Sequence, residues 1–179
     1  MNICIYGAAS DKIDKIYIEE TEKIGELMAK KGHSLVFGGG NTGVMGAAAR
    51  GVHRGKGRII GAAPKYFDKP GVLFENCTEL IYTKNISERK DIFDNMSDGF
   101  LMLPGGIGTY DEFFATIVKS QLGEIVKPIA VYNINGYYDI LEELLEKMIK
   151  DGFMAEKCRK LYFISDNAEK IFDYFENIR

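Results

Sequence analysis

The chain has 179 residues, of which 46% are hydrophobic and 27% charged, and a formal net charge of −3 at pH 7. That length suits one substantial domain, that composition excludes a disordered chain, and the slight negative charge argues against nucleic acid as a partner. Three widely spaced cysteines without a C-x-x-C pair, and two isolated histidines, offer no zinc pattern, so no metal is expected.

The opening MNICIYGAAS lacks a basic segment followed by a long apolar one, and no apolar run approaches the ~18 residues that span a bilayer. A reduced, cytoplasmic protein with no membrane partner is the expectation. ICIYG (3–7) reads as a buried parallel strand ending in glycine, with Cys4 a small core residue. Ile13, Tyr17, Ile24, Leu27 and Met28 fit one helical face before Gly32. SLVFGGG (34–40) is a second strand, GVMGAAARGVHR (43–54) a small-residue helix, and RIIGAAP (58–64) a third strand. The segment 65–86 is the least regular and is a candidate lid or substrate loop, with a short strand over Glu79–Tyr82.

Ser87 is expected to cap a helix reaching Met96, with Arg89 and Lys90 in its first turn. GFLMLP (99–104) is a strand, Thr109–Gln121 a helix, and KPIAVYN (127–133) a strand. Ile140, Leu141, Leu144, Leu145, Met148 and Ile149 repeat with helical period, and a strand near Leu161–Ile164 and a helix over 167–177 complete the chain. Strands separated by helices imply βαβ units, hence a single Rossmann-like α/β domain over 1–179, its parallel sheet covered by helices on both faces. In such sheets ligands sit at the carboxyl ends of the strands. Three glycine-bearing ends supply them: Gly7–Ser10, Gly38–Gly43 and Gly105–Thr109.

Gly38, Gly40 and Gly43 spell G-x-G-x-x-G, but the next strand ends without the acidic residue that would hold a dinucleotide ribose. Tight turns and close packing explain those glycines better than a dinucleotide does. LPGGIGT is more specific. Gly105, Gly106 and Gly108 let the backbone fold around an anion, and Thr109 is expected to begin a helix whose N–H groups favour it. Tyr110 stands where a P-loop has its lysine, so the loop suits a single phosphate. Thr109 and Glu112 share a helical face, with Cβ atoms roughly 5–6 Å apart, whereas Asp111 is rotated off it. Glu112 would therefore stand about one sugar ring from the phosphate, where a carboxylate stabilises an oxocarbenium-like transition state and orients water. The helix dipole is expected to keep it ionised.

E-R-K (88–90) with P-G-G-I-G-T-Y-D-E (104–112) resembles the Lonely Guy (LOG) family of cytokinin riboside 5′-monophosphate phosphoribohydrolases, often mislabelled lysine decarboxylases. GGGNTGVMGAAARG and QLGEIVKPIAVYNINGYYD are similar to further family segments, so the likeness covers nearly the whole chain. The resemblance implies hydrolysis of a purine nucleoside 5′-monophosphate, such as AMP, to free base and ribose 5-phosphate without a cofactor. It implies Arg89 and Glu112 as the catalytic pair. Gly105, Gly106, Gly108 and Thr109 would bind phosphate, assisted by Lys90, and Ser10, Gly39, Gly40, Gly43 and Met45 would contribute to the substrate site. It also implies a homodimer with active sites near the interface. Ile86-Ser87 replaces the family's Met-His, which bears on substrate preference. A guanidinium stays protonated in proteins, so Arg89 is expected to bind and orient rather than donate a proton. The competing reading is a non-catalytic nucleotide or molybdenum-cofactor carrier of the same fold; a pyridoxal-phosphate decarboxylase has no positive signal in the sequence.

Overall fold

The computed structural model describes residues 1–177. Seven strands form one parallel sheet: β1 (Asn2–Tyr6), β2 (Ser34–Phe37), β3 (Ile59–Pro64), β4 (Glu79–Thr83), β5 (Gly99–Met102), β6 (Ile129–Tyr132) and β7 (Phe163–Ser165). Their order is β4-β3-β2-β1-β5-β6-β7. Helices α1 (Lys15–Lys30), α2 (Gly43–Arg54), α3 (Ile86–Met96), α4 (Ile107–Leu122), α5 (Asp139–Lys150) and α6 (Ala168–Asn177) connect or follow the strands.

Because successive strand residues face opposite sides, each central strand feeds two cores. Ile3 and Ile5 of β1 join Ile24, Met28, Ala48, Val52 and Phe172 from α1, α2 and α6. Cys4 and Tyr6 join Phe93, Phe113, Ile117, Leu141 and Leu145 from α3, α4 and α5. This double burial is why the strands read as unbroken apolar runs, each large buried side chain contributing about 1.5–3 kcal/mol. On α5 the apolar period is wider than the buried stripe, for Ile140 and Leu144 are exposed while Leu141 and Leu145 are buried.

The chain lays down β1 to β4 outward in one direction, then returns to the other side of β1 for β5, β6 and β7. The carboxyl ends of β1 and β5 therefore flank the switch point, where two connections diverge and leave a crevice. The irregular segment 65–78 does not cover that crevice as a separate lid. It folds back on the second glycine loop: Gly40 bridges Leu73, the Asn41 amide donates to the Val72 carbonyl at 2.9 Å, and the Phe74 amide donates to the Gly39 carbonyl at 2.8 Å. Among the described residues no helix is long and apolar enough to cross a membrane.

Candidate active site

A cavity of about 350 Å³ occupies the crevice, near the lower end of the ~300–1,000 Å³ usual for small-molecule sites. One wall is the turn after β1, Gly7 to Ser10; the other is Gly106, Gly108, Thr109 and Glu112 at the start of α4. Met45 from α2 and Arg89 from α3 close it. Two of the three glycine-bearing strand ends, Gly7–Ser10 and Gly105–Thr109, contribute to the lining, whereas Gly38–Gly43 does not.

The turn after β1 is held from outside by α2. The Met45 amide donates to the Ala8 carbonyl at 3.1 Å, the Thr42 hydroxyl to the Ala9 carbonyl at 2.6 Å, and the Gly43 amide to the Asp11 carboxylate at 2.8 Å. Gly43 has φ +62°, and a Cβ there would lie 2.6 Å from the Ala8 carbonyl oxygen, so only glycine fits. Gly39 and Gly40 anchor the 65–78 segment instead of lining the cavity. Gly105 also lies behind the wall: a Cβ on it would meet the Thr109 hydroxyl at 2.1 Å and the Ala8 amide nitrogen at 2.9 Å. Its carbonyl accepts the Tyr137 hydroxyl at 2.9 Å.

Two local expectations are corrected. Helix α4 starts at Ile107 with Gly106 as its cap, so Thr109 sits inside the first turn, only 4% exposed, rather than opening the helix. Helix α3 is capped by Asn85, whose side chain accepts from the Glu88 amide at 2.9 Å, and Ser87 lies within the helix. Both shifts leave Arg89 and Glu112 facing each other. An Arg89 Nη2 donates to Glu112 Oε1 at 2.7 Å, with side chains 15% and 12% exposed. Arg89 Nε is buried without a hydrogen-bond partner among the described residues. Lys90 points elsewhere, pairing with the exposed Asp111 at 2.6 Å outside the cavity lining.

Burial and neighbouring charges bear on Glu112 alongside the end of the helix. Burial pushes its carboxyl above the ordinary value of 4.5, and the opposing pull of Arg89 and then Lys90 does not cancel that. A carboxylate held next to a guanidinium yet costly to ionise is a stronger base than an exposed one. The cavity wall at Gly7, Ala8 and Ala9 was visible in the sequence only as a strand end, since glycine and alanine carry no chemical signature. No cluster of His, Cys, Asp and Glu among the described residues could hold a metal ion. No lysine lines the cavity to bind pyridoxal phosphate covalently, so the residues present do not fit that cofactor.

A family model described as "Possible lysine decarboxylase" matches residues 45–175. Cytokinin riboside 5′-monophosphate phosphoribohydrolase LOG of Oryza sativa subsp. japonica is 31% identical over 169 residues, covering 94% of this chain and 70% of that protein. LOG2 of Arabidopsis thaliana, of the same description, is 29% identical over 174 residues, covering 97% of this chain and 82% of that protein. Among solved structures, the molybdenum cofactor binding protein of Rippkaea orientalis superposes with a TM-score of 0.74 at 22% identity, covering 99% of this chain and 96% of that one. The molybdenum cofactor carrier protein of Chlamydomonas reinhardtii gives 0.71 at 19%, covering 96% and 93%. At those identities the structural likeness shows the fold alone.

Proposed function

We propose that this chain, which belongs to the Lonely Guy family, hydrolyses the N-glycosidic bond of a purine nucleoside 5′-monophosphate to free base and ribose 5-phosphate. The observation that carries the reading is the buried Arg89–Glu112 pair in the wall of a cavity that also contains the start of α4. The first N–H groups of a helix have no intrahelical partner and, with the dipole, favour a phosphate. A 5′-phosphate held at Gly106, Gly108 and Thr109 puts the ribose beside Glu112. Water then adds to C1′ as the C1′–N bond breaks, its proton passing to the Glu112 carboxylate, while the base leaves with the bonding pair and takes a proton from solvent, to which Glu112 afterwards returns its own. The carboxylate also stabilises the positive charge that develops on the sugar.

Arg89 keeps its proton throughout. One arm orients Glu112. Binding only at the sugar phosphate leaves base identity to the rest of the cavity, where Met45 offers an apolar, adaptable surface. AMP and its isopentenylated form are the expected substrates, and no organic cofactor takes part in the proposed steps.

The protein acts as a homodimer in this reading. Ile107, Phe114, Val118 and Leu122 form an apolar stripe along α4, with Ile107 91%, Val118 52% and Leu122 67% exposed. The stripe begins at the phosphate loop, so a second copy packed there would border the site. Chromatography of products from AMP, isopentenyl-AMP and adenosine tests the reading. Free base from the monophosphates but not from adenosine supports it. Tight AMP binding with no base released would favour a non-catalytic carrier.

A further inference from the structure

Tyr6 is the last residue of β1, 3% exposed, and directly precedes Gly7 of the cavity wall. Its hydroxyl lies 3.0 Å from Thr116 Oγ1, across 110 residues of sequence. Thr116 in turn donates to the main-chain carbonyl of Glu112, one helical turn earlier, at 2.9 Å. A threonine hydroxyl has one proton. With that proton on the Glu112 carbonyl, Tyr6 must be the donor to Thr116, so the two bonds form one directed chain ending at Glu112. The ring of Tyr6 bears on the other half of the pair. Its centroid is 6.2 Å from that of Phe93, and the Arg89 guanidinium carbon sits 5.3 Å above the Phe93 ring.

We propose that Tyr6 is a positioning residue for the reaction, fixing the Glu112 turn of α4 through Thr116 and the floor beneath Arg89 through Phe93. The proposal rests on the reading of Glu112 as the group that addresses C1′. Tyr6 does not line the cavity and touches no substrate, so its effect runs through those two neighbours. A phenylalanine would fill the same apolar layer; the hydroxyl adds only the bond toward Glu112. A buried phenol is costly unless partnered, and here Thr116 partners it.

The test compares Tyr6→Phe, Thr116→Val, their double variant and Thr116→Ser. Each is assayed for kcat, KM and the pH dependence of kcat/KM, beside titration of the Glu112 carboxyl by carbon NMR, with Glu112→Gln assigning its signal. Arg89, Lys90, Asp94, Asp111 and the buried Cys4 are titratable or charged groups that face this region. Tyr6→Phe should lower kcat by about tenfold with KM nearly unchanged, since small misplacements of reacting groups are expensive. Looser contact with Arg89 should move the Glu112 titration, and with it the acid limb, to higher pH. Thr116→Val should match it, the double variant should cost no more than either alone, and Thr116→Ser should behave as the parent. Unchanged kcat and titration in Tyr6→Phe would overturn the proposal. So would a loss that follows folded fraction alone, with the titration unmoved. An active Glu112→Gln would instead sink the catalytic reading, while the NMR titration would still report whether Tyr6 positions the carboxyl.

Discussion

Replacing Arg89 by Met should expose how the pair balances burial against charge. Met keeps much of the stem over Phe93 but removes the partner of a carboxylate that is 12% exposed. Glu112 already binds its proton more tightly in the folded chain than its ordinary value of 4.5, because burial outweighs Arg89. A folded-state value above the unfolded one means that ionising Glu112 costs stability, so this group's contribution is intact below 4.5 and is lost as pH rises through the folded value. Without Arg89 the folded value climbs further. The extra cost of the variant therefore appears only above the parent's folded value and grows by about 1.4 kcal/mol per pH unit until the variant's own value is passed. Removing one partner of a buried pair costs about 3–5 kcal/mol, which sets the ceiling. In a domain of this size each kcal/mol moves Tm by about 2–4 °C, so the Tm difference should approach a ceiling of about 6–20 °C at pH 8 and shrink towards pH 5. Thermal melts of both proteins across that range, at fixed salt and protein concentration, measure it. A Tm difference independent of pH, or one that grows towards low pH, would refute the reasoning.

The remaining predictions concern the site and its surroundings. If Glu112 acts as a carboxylate, the acid limb of kcat/KM should fall at a pH above 4.5, read from initial rates between pH 4 and 9. Gly105→Ala should destabilise by about 1–3 kcal/mol in urea melts and raise KM, because the new methyl must push aside the Thr109 hydroxyl. Leu122→Glu should convert a dimer to a monomer in light scattering, and a variant that stays dimeric would place the interface elsewhere.

The parts of the fold legible in the sequence were those with strong local signals. Strands such as ICIYG and FLML announce themselves because burial on both faces leaves them no polar residues. The glycine loops after β1, β2 and β5 were equally plain, but which two of them flank the crevice followed only from the strand order. The cap of α3 was misplaced because Asn85 and Ser87 are both good cap residues; what decided it was Asn85 reaching the Glu88 amide while Glu88 accepts from the Lys84 amide at 2.7 Å. The start of α4 was hidden because Ile107 and Gly108 look like loop, yet they form its first turn on a Gly106 cap. Long-range terms were beyond reach. Spacing put Glu112 beside Thr109, but it gave no sign that burial would raise its carboxyl against the pull of Arg89, nor that Tyr6 would meet Thr116 across 110 residues.

The measurement that bears most directly on the central claim is Glu112→Gln assayed twice, once for base released from AMP and once for AMP binding by calorimetry. The account predicts turnover lower by at least about a thousandfold with Kd changed by less than about tenfold, since the phosphate is held by α4 and the lost interaction belongs to the transition state. Full turnover in the variant would contradict it.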